Sequence, residues 1–76
     1  MTEAIAFLIE PWVRDMTDGD LLRASRNTPF ERFYDAYMWV RNNTPVLAVD
    51  LDRHSLEDAA NWVVAKELAA RRAEHD

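Results

Sequence analysis

The sequence contains no cysteine and a single glycine, Gly19. Without cysteine the chain can form neither a disulfide nor a zinc site that uses thiolates, so stability must come from apolar packing or from a partner subunit. With one glycine, few turns can adopt a positive φ angle, and a glycine-rich phosphate-binding loop is excluded. Both absences favour helices joined by polar links over a hairpin-rich β fold.

Positive charge is also scarce, because the chain has 14 acidic and 9 basic residues and therefore a net charge of −5. An acidic domain repels phosphate groups. The composition therefore predicts no direct binding to nucleic acid and no docking on anionic membranes. Proteins with basic surfaces are the partners that this charge favours.

Long apolar runs are missing as well. The longest run, residues 4–9, is much shorter than the ~20 residues that span a bilayer, and no basic region precedes it. We therefore expect no secretory signal, no membrane span and a cytoplasmic location. The run itself fits either a helix capped by Thr2 or a strand, and its alanines and leucine favour the helix. Pro11 would end this helix or begin a second turn.

Two helix start signals follow. Residues 17–20 form a loop and cap before a short predicted helix that ends near Arg26. Thr28 is the next predicted N-cap, with Pro29 at the first helical position and Glu31 placed to complete a capping box. This second helix should end before residues 42–45, where two asparagines, a threonine and a proline interrupt it.

The last third of the chain predicts an extended segment and a long helix. Apolar residues alternate over 46–51, which indicates a strand-like piece that could pair with residues 4–9. Ser55 is the predicted N-cap of a final helix over 56–72, with Asp58 in the reciprocal position. The expected fold is a single small domain, mostly α, with three to four helices, and the alternative is an α+β fold with a two-stranded sheet.

Five of the eight aromatic residues lie between positions 30 and 39. At 100° per residue, one helix face carries a stripe that we predict to be core: Phe30, Phe33, Tyr34, Tyr37 and Val40. Trp39 falls on the opposite side, between Arg32 and Asp35, with Met38 at the flank. Trp39 either packs against the N-terminal segment or is an exposed anchor for a partner, since Trp, Tyr and Arg dominate interface hot spots.

The final helix is apolar around much of its circumference between Ala59 and Ala65, and Trp62 lies about 100° from Val63. Such a wide apolar girth indicates either burial on several sides or self-association. A homodimer that forms through helix 56–72 is therefore an alternative to the monomer.

The tightest polar cluster contains Asp50, Asp52 and His54. Two carboxylates and a histidine resemble a metal-ligand set, but no second histidine lies nearby, and a solvated loop that caps the last helix explains them better. We predict no metal, no cofactor and no catalytic residue. A domain of this length also has little room for a substrate pocket of ~300 Å³ or more, so we expect a protein that is not an enzyme.

The leading hypothesis is a small acidic protein-interaction module that regulates or inhibits its partner by occupying the partner's surface. By analogy, bacteriophages and other mobile elements use such domains against host systems. Alternatives are a structural or assembly subunit that dimerises through helix 56–72, and an acidic nucleic-acid mimic that blocks a basic cleft. The predicted partner-binding residues are Trp39, Arg32, Asp35, Met38 and Trp62.

Overall fold

The computed structural model describes residues 2–48 and 51–75, which form helices and, within those ranges, no strand. The prediction of a mostly α fold is confirmed. Four helices of nine residues or more are joined by short links, and a single helical turn precedes the last of them. The elements are α1 (Thr2–Arg14), α2 (Asp18–Arg26), α3 (Pro29–Asn43), α4 (Pro45–Ala48) and α5 (Arg53–His75).

The alternative two-stranded sheet is wrong. Residues 4–9 belong to α1, and Pro45–Ala48 forms α4 instead of an extended segment. Residues 49 and 50 of the predicted extended segment lie outside the described residues. Ala6, Ile9 and Val13 are all buried, and this spacing is that of one helix face, which explains why the apolar run of α1 is helical.

Pro11 lies inside α1, which continues to Arg14. A proline at this position removes one hydrogen bond of the helix and normally kinks or ends it. Here the turn after Pro11 carries Trp12 and Val13, which are both buried. Burial of these two side chains offsets the lost hydrogen bond, so tertiary packing sets the length of α1.

The predicted cap at Thr28 is confirmed, and within the loop and cap predicted over 17–20 the cap is Thr17. The Thr17 Oγ1 accepts a hydrogen bond from the Asp20 backbone N at 3.1 Å, and the Thr28 Oγ1 accepts one from the Glu31 backbone N at 3.2 Å. Pro29 occupies the first turn of α3, as predicted. Helix α2 begins at Asp18, immediately after its cap, so most of the loop predicted over 17–20 is helical.

The predicted start of the last helix is wrong by three residues. Asp52, and not Ser55, supplies the cap: its Oδ2 accepts hydrogen bonds from the Ser55 backbone N at 3.0 Å and from the Ser55 Oγ at 3.1 Å. Helix α5 therefore spans Arg53–His75 and not 56–72. Both residues are good caps, and Asp52 adds a negative charge at the positive end of the helix dipole, which favours the earlier start.

This cap makes stability depend on pH. The hydrogen bonds from Ser55 lower the pKa of Asp52 from its ordinary value of 3.8. Because the folded pKa is depressed, the contribution of Asp52 is fully present above the ordinary pKa and is lost as the pH falls through the lower folded value. In Asp52→Asn the amide oxygen still accepts the backbone hydrogen bond, but it does not titrate.

We therefore expect the wild type to be the more stable protein at neutral pH and the difference from Asp52→Asn to close in acid. Thermal melts of both proteins between neutral pH and about pH 2 measure this difference, because the other carboxylates titrate equally in both. A difference that stays constant across this range would contradict the role of Asp52.

Helix α5 is the centre of the fold, because it packs against α1, α2 and α3. Its buried residues are Leu56, Ala59, Ala60, Val63 and Val64. Contact with three helices accounts for most of the wide apolar girth seen in the sequence. Leu21 and Ala24 of α2, with Ala36 and Val40 of α3, complete the core from the other side.

Arg71 fastens the far end of α5 to the first two helices. Its guanidinium donates to Glu67 Oε2 at 2.9 Å, to Asp18 Oδ1 at 2.9 Å and to the Val13 carbonyl oxygen at 3.0 Å. The carbonyl belongs to the last turn of α1, where backbone acceptors have no partner within the helix. The hydrogen bond with Glu67 is the main reason that the pKa of Arg71 lies above its usual value, so the arginine remains charged.

Candidate functional site

Helix α3 buries a different face from the predicted one. Ala36 and Val40 are fully buried and Phe33 and Tyr37 are half-buried, but 55% of Phe30 and 52% of Tyr34 are exposed. The prediction that Phe30 and Tyr34 belong to the core is wrong. The buried face is turned roughly 60° around the helix axis from the predicted stripe, at 100° per residue.

The reason for this rotation is the small size of alanine. Ala36 on α3 and Ala59 and Ala60 on α5 all have zero exposure. Where α3 packs against α5, alanines let two helix axes approach closely, and a pair of phenylalanines would hold them apart. The larger rings therefore lie beside the contact, and two of them project to the surface.

Trp39 is half-buried and packs against the core. Of the two placements that the sequence left open for this side chain, the structure has the packed one. The backbone oxygen of Trp39 accepts a hydrogen bond from the Asn43 Nδ2 at 2.8 Å, near the end of α3. An indole in this position stabilises the fold and offers a partner only a small surface.

Arg32 is also held within the fold by hydrogen bonds to two other helices. Its Nε donates to Asn61 Oδ1 at 2.7 Å, which joins α3 to α5. Its Nη1 donates to three backbone oxygens at the end of α2, those of Ala24, Ser25 and Asn27. Arg32 thus supplies a side-chain donor to carbonyl groups at the C-terminal end of α2, of which that of Ala24 also accepts from the Asn27 backbone N at 3.3 Å.

The outer surface of α3 keeps the other two predicted contact residues. Asp35 is exposed and Met38 is half-buried. Asp35 forms no ion pair with any residue in 2–48 or 51–75. Together with the two exposed rings and an exposed glutamate they form what we call the α3 face: Phe30, Glu31, Tyr34, Asp35 and Met38.

Contacts with neighbouring side chains hold Phe30 in place on the α3 face. The ring centroids of Phe30 and Phe33 are 6.2 Å apart, and those of Phe33 and Tyr37 are 6.1 Å apart. Arg53, at the start of α5, holds its guanidinium carbon 5.7 Å from the Phe30 centroid and 5.5 Å from the Phe33 centroid. These contacts fix Phe30 and leave more than half of its surface open, so the face is rigid and partly apolar.

A second exposed aromatic surface lies between α1 and α5. Phe7 is 78% exposed and Trp62 is 52% exposed, and both line the same hollow with Glu10 and Lys66. The Lys66 Nζ lies 4.8 Å from the Trp62 ring centroid. The hollow continues along α5 as a groove of about 520 Å³ that reaches Glu74. We call this surface the α1–α5 groove.

The sequence located Trp62 but missed Phe7, Phe30 and Tyr34 as surface residues. Each lies in an apolar stretch at a spacing that also suits a core position. Ala36, the only alanine on α3, was the available signal, because a small residue on a helix rich in aromatics indicates where a second helix comes close.

The polar cluster near the start of α5 has a structural role in the described residues. Asp52 caps the helix, and His54 is exposed. Asp50 lies outside the described residues. Within 2–48 and 51–75, acidic and histidine side chains do not gather in any group of three that could hold a metal ion.

Comparison of the chain with protein-family models, with curated proteins and with solved structures gives no match. None of the helices in residues 2–48 and 51–75 combines the length and the apolar character that crossing a membrane requires. The geometry of the two exposed surfaces is therefore the basis for a functional proposal.

Proposed function

We propose that the chain is a protein-interaction module, which uses the α3 face to bind a partner protein and regulates or inhibits that partner by covering part of its surface. One observation carries the proposal. Phe30 and Tyr34, one turn apart on α3, expose 55% and 52% of their surface although the domain has few large side chains with which to build its core. Aromatic residues and methionine are enriched at protein interfaces, and the α3 face contains both.

Rigidity strengthens this choice of surface. Phe30 contacts Phe33 and Arg53, and Phe33 also contacts Tyr37, so the exposed ring of Phe30 lies on a fixed support. A side chain that is already held in place loses little conformational entropy on binding. Tyr34 adds a hydroxyl group that can form a hydrogen bond at the rim of an interface.

The charges beside the rings indicate the kind of partner. Glu31 and Asp35 are both exposed and lie to one side of Tyr34 on α3. With a net charge of −5 for the whole chain, these carboxylates favour a basic partner surface, because complementary charges speed association and suppress wrong partners. A basic protein surface that carries an apolar pocket for Tyr34 is the expected counterpart.

The test is capture of a partner by the full chain, followed by measurement of affinity with the identified protein. Tyr34→Ala should weaken binding by about tenfold or more, as truncation of an interface hot spot does. The exposed ring should contribute little to stability, so the variant should keep the wild-type melting temperature. The matched control is Phe7→Ala, which removes a more exposed ring from a different helix and should leave the affinity of the monomeric chain for the partner unchanged.

A charge reversal gives a second, independent readout. Asp35→Lys should slow association, and the difference from wild type should shrink as salt is added. A folded Tyr34→Ala protein that binds the partner as tightly as wild type would overturn the proposal. So would a Phe7→Ala protein that alone loses binding, because the contact surface would then be the α1–α5 groove.

A further inference from the structure

The α1–α5 groove remains unexplained by partner binding through α3. Its two aromatic side chains, Phe7 and Trp62, come from helices that pack against each other. Phe7 is the most exposed aromatic residue among those described. Two large rings at one groove leave apolar surface in water, and burial of such surface favours association.

The groove is large enough to take side chains from another molecule. Beyond Phe7 and Trp62 its wall continues along α5 over Val63 and Ala70, and it encloses about 520 Å³. Ala70 is exposed, and a residue this small lets a second helix lie close to α5. The shape therefore suits a helical surface that carries large aromatic residues of its own.

The charges that line the groove distinguish the possible occupants. Three carboxylates and two cations line it: Glu10, Arg14, Lys66, Glu67 and Glu74. Glu10 pairs with Arg14 at 2.6 Å and Glu67 with Arg71 at 2.9 Å, which leaves Lys66 and Glu74, of opposite sign, to meet a partner. In a two-fold symmetric interface a patch meets its own copy, so a patch of one sign repels itself and a patch of both signs can pair with itself. The mixed lining fits a second copy of this chain better than it fits a strongly basic partner.

The available area is also sufficient. The molecule measures 40 × 21 × 20 Å. At 1.5 Å per residue, the 23 residues of α5 need about 35 Å, so this helix must run along the longest axis. A contact over the whole long side that contains the groove, roughly 800 Å² in projection, would match the area that each partner buries in an interface of standard size.

We propose that two copies of the chain form a symmetric dimer through the α1–α5 groove, in which Phe7 and Trp62 of each copy pack into the groove of the other. The dimer uses no residue of the α3 face. It therefore goes beyond the proposed function, and it would present two α3 faces to a partner.

Sedimentation equilibrium of the full chain over a wide range of protein concentration is the test. The wild type should fit a reversible monomer–dimer equilibrium. Trp62→Gln, which keeps a good helix former at an exposed position, should raise the dimer dissociation constant by about tenfold or more. Tyr34→Gln is the matched control, since it removes an equally exposed ring from α3 and should not change that constant.

Two variants of Lys66 show whether the dimer depends on charge pairing or only on apolar contact. Lys66→Gln removes one positive charge and Lys66→Glu reverses it, and both lose the contact with the Trp62 ring. If the groove meets its own copy, the Glu variant should dissociate more readily than the Gln variant, and high salt should reduce the gap. Circular dichroism at a concentration where each protein is monomeric shows whether the variants are folded.

A wild type that remains monomeric at every concentration would overturn the dimer. A dimer that Tyr34→Gln disrupts and folded Trp62→Gln does not would also overturn it, because the α3 face would then be the self-association surface. Neither result bears on partner capture by the monomer. A failed partner-capture experiment, conversely, leaves the sedimentation result unchanged, so the two proposals fail separately.

Discussion

Replacing Arg32 with methionine is expected to lower the free energy of unfolding by about 2–3 kcal/mol, because hydrogen bonds that involve a charged group are stronger than neutral ones. The guanidinium of Arg32 donates to Asn61 on α5 and to three carbonyl oxygens at the end of α2. Methionine fills similar space but donates nothing, so these acceptors lose their partner within the fold. For a domain of this size the loss should lower the melting temperature by roughly 10–20 °C.

Two further variants show whether the geometry of Arg32 matters. Arg32→Lys keeps the positive charge but replaces the planar, forked guanidinium with a compact ammonium group. The ammonium group cannot donate to Asn61 and to the end of α2 at the same time, so this variant should also be destabilised. Arg41→Met is the matched control, since Arg41 is an exposed arginine on the same helix. Its effect should stay within about 0.5 kcal/mol, as is usual for surface substitutions.

Thermal and urea unfolding of the three variants measure these differences. An Arg32→Met protein as stable as wild type would contradict the structural role of Arg32. If that stable variant also failed to bind the partner, Arg32 would be a contact residue, as the sequence predicted. A fall in stability together with the loss of binding would assign both effects to the fold.

Replacing Ile9 with alanine is expected to cost about 2–4 kcal/mol, which is the usual range for an aliphatic side chain truncated in a packed core. Ile9 has zero exposure and lies on the face of α1 that packs against α5. A protein of this length has a total stability of about 4–11 kcal/mol, so the substitution removes a large part of it. Partial or complete unfolding near room temperature is the expected result.

Phe7→Ala is the matched control for Ile9→Ala. Phe7 lies two positions earlier on α1, has a larger side chain and is 78% exposed. Its truncation should change the stability of the monomer by no more than about 0.5 kcal/mol. The melts should be run at a concentration where any dimer is dissociated, because a dimer stabilises the folded state by mass action. Equal losses for the two variants would show that the assigned face of α1 is incorrect.

The start of a helix was predictable where one side chain decides it. Thr17 and Thr28 each accept a hydrogen bond from a backbone N–H three residues later, and neither bond needs the rest of the fold. The start of α5 was not predictable in the same way. Asp52 and Ser55 are both good caps three residues apart, so their propensities do not select between them.

The placement of side chains on the surface or in the core depended on the neighbouring helices. Spacing alone predicted that Phe30 and Tyr34 belong to the core, whereas in the structure both are exposed and Ala36 is buried. The hydrophobic period of a helix identifies an apolar sector, but only the approaching helix determines which part of that sector it covers. For the same reason, the helical angle of Trp39 did not show whether its side chain is exposed.

The candidate sites show a similar division. Trp62 was predicted as a contact residue because it lies about 100° from Val63 on a helix that is apolar around much of its circumference. Arg32 was predicted as a partner contact, and the structure shows that its hydrogen-bond acceptors lie on α2 and α5. A chain of 76 residues reveals which side chains can donate hydrogen bonds, but only the assembled fold shows which acceptors they reach.

Composition and local sequence suffice for the helical class, the cap at Thr28, the presence of a cap within 17–20, the acidic charge and the lack of cysteine chemistry. All of these depend on the composition or on interactions within about four residues along the chain. The tertiary structure decided that α1 continues past Pro11, that Arg32 fastens three helices together, and that Phe7 and Tyr34 are exposed. These features depend on contacts between helices distant in the chain, where packing at close range outweighs local preference.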